Sequence, residues 1–319
     1  ETNKTAPVGT GPYKLADRKE GDSITLEAVD DMLPIQTVTF RFIAEPSAQV
    51  NALLAGDIDF FPGFQAAELL ARFEGDSNYK VSIGSTEGET ILSTNNKLPP
   101  LDNVKVREAI AHAIDRQAII DGAMFGYGTP IGSHFAPHNP DYVDLTAKSQ
   151  YDPELSKKLL GEAGYPDGFT TTLKLPPPSY ARRGGEIIAS QLRAVGIETE
   201  ITNLEWAQWL EQGFKGKDYG LTIVSHTEPM DIGIYARPDY YFQYDDADFQ
   251  KLFADLTAEN DPEKRSALLR KAQEKIADDY VNGYLFQLAF PTVANAKIRG
   301  LWKNQPTQAT DLTAVYWED

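Results

Sequence analysis

The 319-residue sequence contains no cysteine and only 4 histidines. The absence of cysteine excludes thiol catalysis, cysteine-ligated metal sites and disulfide bridges. No apolar run approaches the roughly 20 residues needed to cross a bilayer, so the sequence predicts no membrane-spanning helix. The chain begins at Glu1 without a charged-then-apolar leader, and we expect that any export signal has been removed or was never cloned. It also lacks a G-x-S-x-G, P-loop or dinucleotide-binding pattern.

Basic residues are scarce relative to acidic ones. The 30 lysines and arginines against 47 aspartates and glutamates give a net charge of -17. A surface this negative repels phosphate backbones, so we predict that nucleic acid is not a partner. Hydrophobic residues make up 41% of the chain, which is the proportion of a globular protein with a substantial core. The length allows two domains of ordinary size.

Strand and helix signals alternate along the chain, which is typical of an α/β protein. Alternation of apolar and polar residues over 38–42 predicts a strand. Pro46 then opens a helix that Gly56 is placed to end. Because an apolar stretch at 58–61 follows at once, we interpret this segment as a βαβ unit.

Helical periodicity and capping residues mark the remaining helices. Asp152 and Asp261 stand at N-cap positions, each followed by a proline that suits a first helical turn. Residues 126–150 show no periodicity, which predicts a long ordered loop. We predict helices at 103–123, 153–163, 184–195 and 262–280, and strands at 197–201, 221–225, 284–289 and 292–298.

Five segments, in this order, resemble motifs of the family 5 extracellular solute-binding proteins of ABC importers, the peptide/nickel type. Each motif consists of caps, turns and core positions, so together they indicate a scaffold and carry no chemistry themselves. The segments are GTGPY at 9–13, ALLAGDID at 52–59, VREAIAHAIDR at 106–116, YDPELSKKLLGEAGY at 151–165 and DPEKRSALLRKA at 261–272.

The resemblance implies an α/β fold of the type II periplasmic-binding-protein class, with two lobes joined by crossing strands. In the family, GTGPY lies well inside the mature chain, whereas here it starts at residue 9. We therefore expect that an N-terminal portion is missing and that the first lobe is incomplete. The predicted lobes are 1–91 plus 289–319 for the first and 92–288 for the second.

The function implied by the resemblance is that of the periplasmic solute-binding component of an ABC importer. Such a protein would hold a dipeptide, an oligopeptide or a similar small polar solute between its lobes, as a monomer without a cofactor, and would deliver it to a membrane permease without catalysis. An opine-like or oligosaccharide ligand is an alternative. A role in sensing, and a carboxylate-dependent hydrolase that uses Glu228 and Asp231, are alternatives of other classes.

Candidate ligand-binding residues also come from the resemblance. Arg182 matches the arginine that binds the terminal carboxylate in dipeptide-binding relatives, and it lies just before a helix predicted to begin near Gly184. The acid that would meet a free amine is expected after the strand at 221–225, where Glu228 and Asp231 are the candidates. Ser225 or His226 replaces the tryptophan expected there, which leaves the ligand open. The remaining candidates are His226, Tyr235 and Tyr240.

Two histidines have a spacing that a metal site could use. His134 and His138 are four residues apart, which on a helix would place both on one face. Gly132 and Pro137 indicate a loop instead, and the sequence shows no carboxylate-rich segment that would supply the other metal ligands. We therefore predict no metal and no cofactor.

Overall fold

A computed structural model describes residues 5–43, 45–64, 66–228 and 230–319. The chain divides into two compact units, one comprising residues up to Ser85 together with Phe290–Asp319, the other comprising Thr86–Ala289. The predicted division at residues 91 and 289 stays a prediction. Within the described residues, no helix is both long enough and apolar enough to cross a membrane.

Strands and helices are interspersed along the chain, although the first three strands and the last three follow one another without an intervening helix. In chain order they begin with β1 (Tyr13–Lys19), β2 (Ser23–Ala28), β3 (Thr37–Arg41), α1 (Pro46–Ala55), β4 (Phe60–Pro62), β5 (Tyr79–Thr94), α2 (Val104–Ala113), α3 (Arg116–Met124), β6 (Gly128–Pro130) and α4 (Pro153–Glu162). They continue with β7 (Phe169–Leu175), α5 (Ser179–Ala194), β8 (Ile197–Asn203), α6 (Trp206–Trp209), β9 (Leu221–His226), α7 (Ala247–Ala258), α8 (Pro262–Asp278), β10 (Asn282–Asn295), β11 (Ile298–Arg299) and β12 (Tyr316–Trp317).

The first unit contains an antiparallel sheet in the order β1-β2-β3. Because β3 belongs to this sheet whereas β4 pairs with β10 over 292–294, the predicted βαβ unit at 38–61 is wrong. The helix between the two strands is confirmed: Gly56 ends α1 in the left-handed conformation, with φ of 73°. Glycine adopts that conformation without steric cost.

The second unit is built on a mixed sheet in which β10, β5, β9, β7 and β8 lie side by side. Strand β9 is antiparallel to β5 and parallel to β7. Leu221 and Ile223 of β9 pack into a core with Ile110 and Ile188, whereas Val224 packs into a second core with Phe242. Successive side chains of a strand point to opposite faces, so β9 is buried on both sides.

Several predicted elements differ in their bounds. The helix predicted over 103–123 is two helices, because the backbone of Ile114 is extended and the Asp115 side chain accepts a hydrogen bond from the Ala118 N–H at 3.1 Å to start α3. The two strands predicted at 284–298 are largely one strand, β10, which runs through Pro291. The loop at 126–150 contains β6 and a 3-10 turn at Thr146–Ser149.

Arg107, from the motif at 106–116, links α2 to the end of α8 by hydrogen bonds. The residue is buried, and its side chain donates to the carbonyl oxygens of Asp279 at 2.9 Å and Tyr280 at 3.0 Å, just past α8. It also donates to the carbonyls of Leu101 and Asp102. A guanidinium at the carboxyl end of a helix complements the helix dipole as well as the unpaired carbonyls.

We expect Arg107→Ala to lower the free energy of unfolding by about 3 kcal/mol, because it leaves buried carbonyls without a donor. Arg270→Ala is the matched control, since Arg270 lies on α8 with 54% of its side chain exposed, and it should cost under about 0.5 kcal/mol. Urea unfolding measures both values. Equal losses would show that the carbonyl contacts of Arg107 do not stabilise the fold.

Candidate ligand-binding site

A cluster of polar side chains lies at the carboxyl end of β9, within the second unit. His226 is the last residue of β9, and Asp231 begins the 3-10 turn Asp231–Ala236. His134 comes from the loop after β6, and its side chain is completely buried. Because loop and strand ends meet here, residues far apart in sequence become neighbours. We call His134, His226 and Asp231 the histidine–aspartate cluster.

Both histidines of this cluster contact the same carboxylate. His134 Nε2 lies 2.7 Å from Asp231 Oδ1, and His226 Nδ1 lies 3.2 Å from Asp231 Oδ2. The second ring nitrogen of each histidine is hydrogen-bonded to a tyrosine hydroxyl, His134 Nδ1 to Tyr235 at 3.1 Å and His226 Nε2 to Tyr241 at 3.0 Å. All four imidazole nitrogens therefore have partners.

The electrostatic environment sets the charge of each group. Burial alone would raise the pKa of Asp231, but the two histidines reverse this and hold its pKa far below the ordinary value. Burial alone would lower the pKa of His134, yet the Asp231 carboxylate raises it above the ordinary value. Burial keeps the pKa of His226 below its ordinary value. Asp231 is therefore an anion at neutral pH, and His134 carries a proton more readily than His226.

Glu89 of β5 lies beside the cluster, and no sequence pattern singles it out. It is opposite His226 in the strand register, only 3% of the residue is exposed, and its Oε2 atom is buried without a hydrogen-bond partner in the described part of the chain. Burial raises the pKa of Glu89 to about 8, with His134 opposing the rise and Asp231 adding to it. Glu89 is thus mostly uncharged at neutral pH.

The other predicted residues around β9 differ in exposure. Tyr235 is completely buried and also accepts a hydrogen bond from Asn282 Nδ2 at 3.1 Å. Tyr240 is half-buried, and the Arg237 guanidinium lies 4.7 Å from the centre of its ring. Glu228 is exposed. Beside them is an open pocket of about 470 Å³, lined by residues that include Asp231, Arg237 and Phe253.

Arg182 is placed differently from the prediction. Helix α5 begins at Ser179 rather than near Gly184, so Arg182 lies in the first turn of the helix and not before it. Its Nη2 atom is 3.0 Å from Glu205 Oε1 and 3.3 Å from the Leu204 carbonyl oxygen. Its Nε atom is buried and has no acceptor within the described residues. These contacts do not include the histidine–aspartate cluster.

His134 and His138 lie in a loop, as predicted, and their side chains have separate partners. His138 contacts the Glu87 carboxylate, and its Nδ1 atom is 2.9 Å from Gln287 Nε2. Their spacing of four residues therefore does not create a shared site. What sequence reasoning missed is the pairing of His134 with Asp231, since the two residues are 97 positions apart.

Residues 1–231 match the model of the bacterial extracellular solute-binding proteins, family 5, middle region. The chain belongs to this family. The predicted α/β fold class is confirmed as well, since a family 5 structure, the DppA binding protein of Helicobacter pylori in complex with the peptide STSA, superposes with a TM-score of 0.86 at 23% identity. That match covers 99% of this chain and 64% of DppA.

Curated relatives of this family 5 chain have different ligands in their names. Heme-binding protein A of Haemophilus influenzae is 31% identical over 228 residues, covering 68% of this chain and 41% of that protein. The oligopeptide-binding protein AppA of Bacillus subtilis is 27% identical over 319 residues, covering 90% of this chain and 58% of that protein. The chain thus spans about half the length of these relatives.

Glu89→Gln should change how the stability of this family 5 chain depends on pH. Between the ordinary pKa of 4.5 and about 8, the unfolded chain loses the Glu89 proton and the folded chain keeps it. The free energy of unfolding therefore falls with rising pH through this window, and outside the window Glu89 does not change its slope with pH. The variant lacks this slope, which amounts to at most about 1.4 kcal/mol per pH unit.

Urea unfolding at about pH 5 and about pH 8.5 measures this effect. Relative to the unsubstituted chain, Glu89→Gln should gain stability at the higher pH. Because His134, Asp231 and Glu87 face Glu89, only the difference between variant and unsubstituted chain is interpreted. Glu228→Gln, at an exposed position, is the control. An identical pH slope with and without Glu89 would contradict a buried, uncharged Glu89.

Proposed function

We propose that this chain captures a peptide, or a similar small polar solute, for an ABC importer and releases it chemically unchanged. The observation that carries the proposal is the family 5 match over residues 1–231, together with relatives and structures whose names specify peptides. The matched region includes Arg182, His226 and Asp231, which come from the segments that the resemblance identifies as ligand-binding. An opine-like or oligosaccharide solute remains the alternative within this class.

Arg182 is proposed to bind the terminal carboxylate of the solute. Its side chain is 37% exposed and its Nη2 donates to Glu205, so a solute carboxylate would compete with Glu205 for this arginine. The first turn of α5 adds the positive end of a helix dipole, which favours an anion. An arginine also offers the fork geometry that matches a carboxylate.

The end of β9 is proposed to supply the other contacts. Glu228 is exposed and accepts a hydrogen bond from the Thr227 N–H at 3.2 Å, and its carboxylate would also meet an amine. The half-buried ring of Tyr240 offers an apolar face with a polar tip. His226, Asp231 and Tyr235 form the buried network behind them and would act on the solute by fixing this surface. Asp231 and Arg237 both line the open pocket, so the pocket would offer groups of opposite charge to a zwitterionic solute.

Two features support capture without turnover. A carboxylate-dependent hydrolase needs one carboxyl group that holds a proton near neutral pH and a second group that accepts one. Asp231 has its pKa far below the ordinary value and both oxygens engaged by histidines. Glu228, the other carboxylate of that alternative, is exposed to solvent. We therefore propose a binding protein and not an enzyme.

The partner and location follow from the same proposal. The family is described as extracellular, and we propose that this chain works in the periplasm as a monomer that docks on a membrane permease. The net charge of -17 supports the absence of a nucleic acid partner, because like charges repel.

Calorimetric titration with a set of short peptides tests the proposal. The unsubstituted chain should bind at least one of them, and Arg182→Ala should weaken that binding by at least about tenfold, which is about 1.4 kcal/mol. Arg193→Ala is the matched control, since Arg193 lies on the same helix and has an ion pair with Glu198 at 3.1 Å. It should bind within about twofold of the unsubstituted chain.

A C-terminally amidated version of the same peptide separates carboxylate recognition from general damage. If Arg182 binds the carboxylate, amidation weakens binding to the unsubstituted chain but changes little in Arg182→Ala. Equal weakening in both proteins would overturn the role of Arg182. Binding of opines or oligosaccharides with no peptide binding would support the alternative solutes instead.

A further inference from the structure

The histidine–aspartate cluster presents three metal-binding atoms at close range. One nitrogen from His134, one from His226 and one Asp231 oxygen all lie within 4.8 Å of one another. In a tetrahedral zinc site, bonds of about 2.0–2.1 Å place neighbouring ligand atoms about 3.3 Å apart. The carboxylate contacts of 2.7 Å and 3.2 Å are near this spacing, so a modest rotation of side chains would bring all three atoms around one ion.

The donor types select a class of ion. Imidazole nitrogen and carboxylate oxygen suit divalent first-row transition metals such as Zn²⁺, Ni²⁺ and Co²⁺. Mg²⁺ and Ca²⁺ prefer sites made of oxygen ligands only, so two histidines disfavour both.

The surroundings of the two histidines match those of metal ligands. Metal-bound histidines almost always donate the other ring N–H to a nearby acceptor, which fixes the ring. Here His134 Nδ1 is hydrogen-bonded to the Tyr235 hydroxyl and His226 Nε2 to the Tyr241 hydroxyl. The nitrogens that face Asp231 are therefore the ones oriented for an ion.

Glu89 supplies an independent observation that points to a ligand. Its Oε2 atom is buried without a partner in the described residues, and a buried polar atom is costly to leave unpaired. The register places Glu89 directly opposite His226 on the neighbouring strand, and its carboxyl group interacts electrostatically with His134 and Asp231. A cation held by His134, His226 and Asp231 would place a positive charge near this unpaired oxygen.

We propose that His134, His226 and Asp231 bind one divalent transition-metal ion of the zinc type, with the Glu89 carboxyl group near the bound ion. Such an ion would reach the cluster from the open pocket that Asp231 lines, since 14% of the Asp231 side chain is exposed. The site differs from the His134–His138 pair considered in the sequence, and it revises the expectation of no metal. It is independent of the proposed peptide capture, because it can be measured without any solute.

Calorimetric titration of the metal-stripped full chain with Zn²⁺ alone tests the site. One ion should bind per chain, and His226→Gln should raise the dissociation constant at least about a hundredfold by removing a ligand. Glu89→Gln, which removes a buried acid and is expected to fold, should raise it about tenfold. His138→Gln is the matched control, because His138 lies in the same loop as His134 but contacts Glu87 and Gln287.

The control should bind Zn²⁺ within about twofold of the unsubstituted chain. The proposal would be overturned if the unsubstituted chain failed to bind one ion, or if His138→Gln and His226→Gln lost affinity for Zn²⁺ equally. The cluster would then be a hydrogen-bonded network only. Circular dichroism confirms that each variant is folded before its affinity is compared.

Co²⁺ binding to the unsubstituted chain gives a test that needs no variant. Cobalt in a four-coordinate site absorbs visible light much more strongly than octahedral cobalt in water, and it shifts the N–H protons of bound histidines in the NMR spectrum. We expect strong absorption and two shifted N–H protons that exchange with solvent. A spectrum equal to that of aqueous cobalt, or shifts from a single histidine, would contradict the assigned ligands.

Discussion

Strand β9 is buried on both faces, and the packing of the second unit depends on this burial. Leu221 and Ile223 fill one core while Val224 fills the other, so no side of the strand is left for solvent. A polar residue at its end must then find partners inside the protein. His226 does so through Asp231 and Tyr241. Because Asp231 also contacts His134, the turn after β9 and the loop that contains His134 meet at this point.

The two carboxyl groups of this region differ in their charge at neutral pH, although both are buried. Asp231 has a histidine on each oxygen and remains an anion. Glu89 has no partner for Oε2 and holds its proton to about pH 8. Neighbours rather than residue type decide which group carries charge. The result is a buried polar network in which Glu89 Oε2 has no partner within the described residues, set beside the open pocket that Asp231 lines.

Local signals in the sequence were enough for much of the fold. The capping aspartates predicted α4 and α8, since Asp152 and Asp261 accept hydrogen bonds from the first turns. Asp115 has the same role for α3, but the apolar stripe across it concealed the break between two helices. Strand β10 passes through Pro291, which no local rule predicts because its pairing with distant strands sustains it. The contacts of His134 and Glu89 also depend on tertiary folding, so sequence spacing could not reveal them.

Native mass spectrometry of the purified chain tests the central claim, capture of a solute without chemistry, most directly. The account predicts a discrete extra mass that is lost on denaturation and that fragments as an intact peptide or a similar small polar solute. An added peptide should likewise be recovered uncleaved after prolonged incubation. A chain that carries no extra mass and retains none of the peptides offered, or one that returns them hydrolysed, would contradict the account.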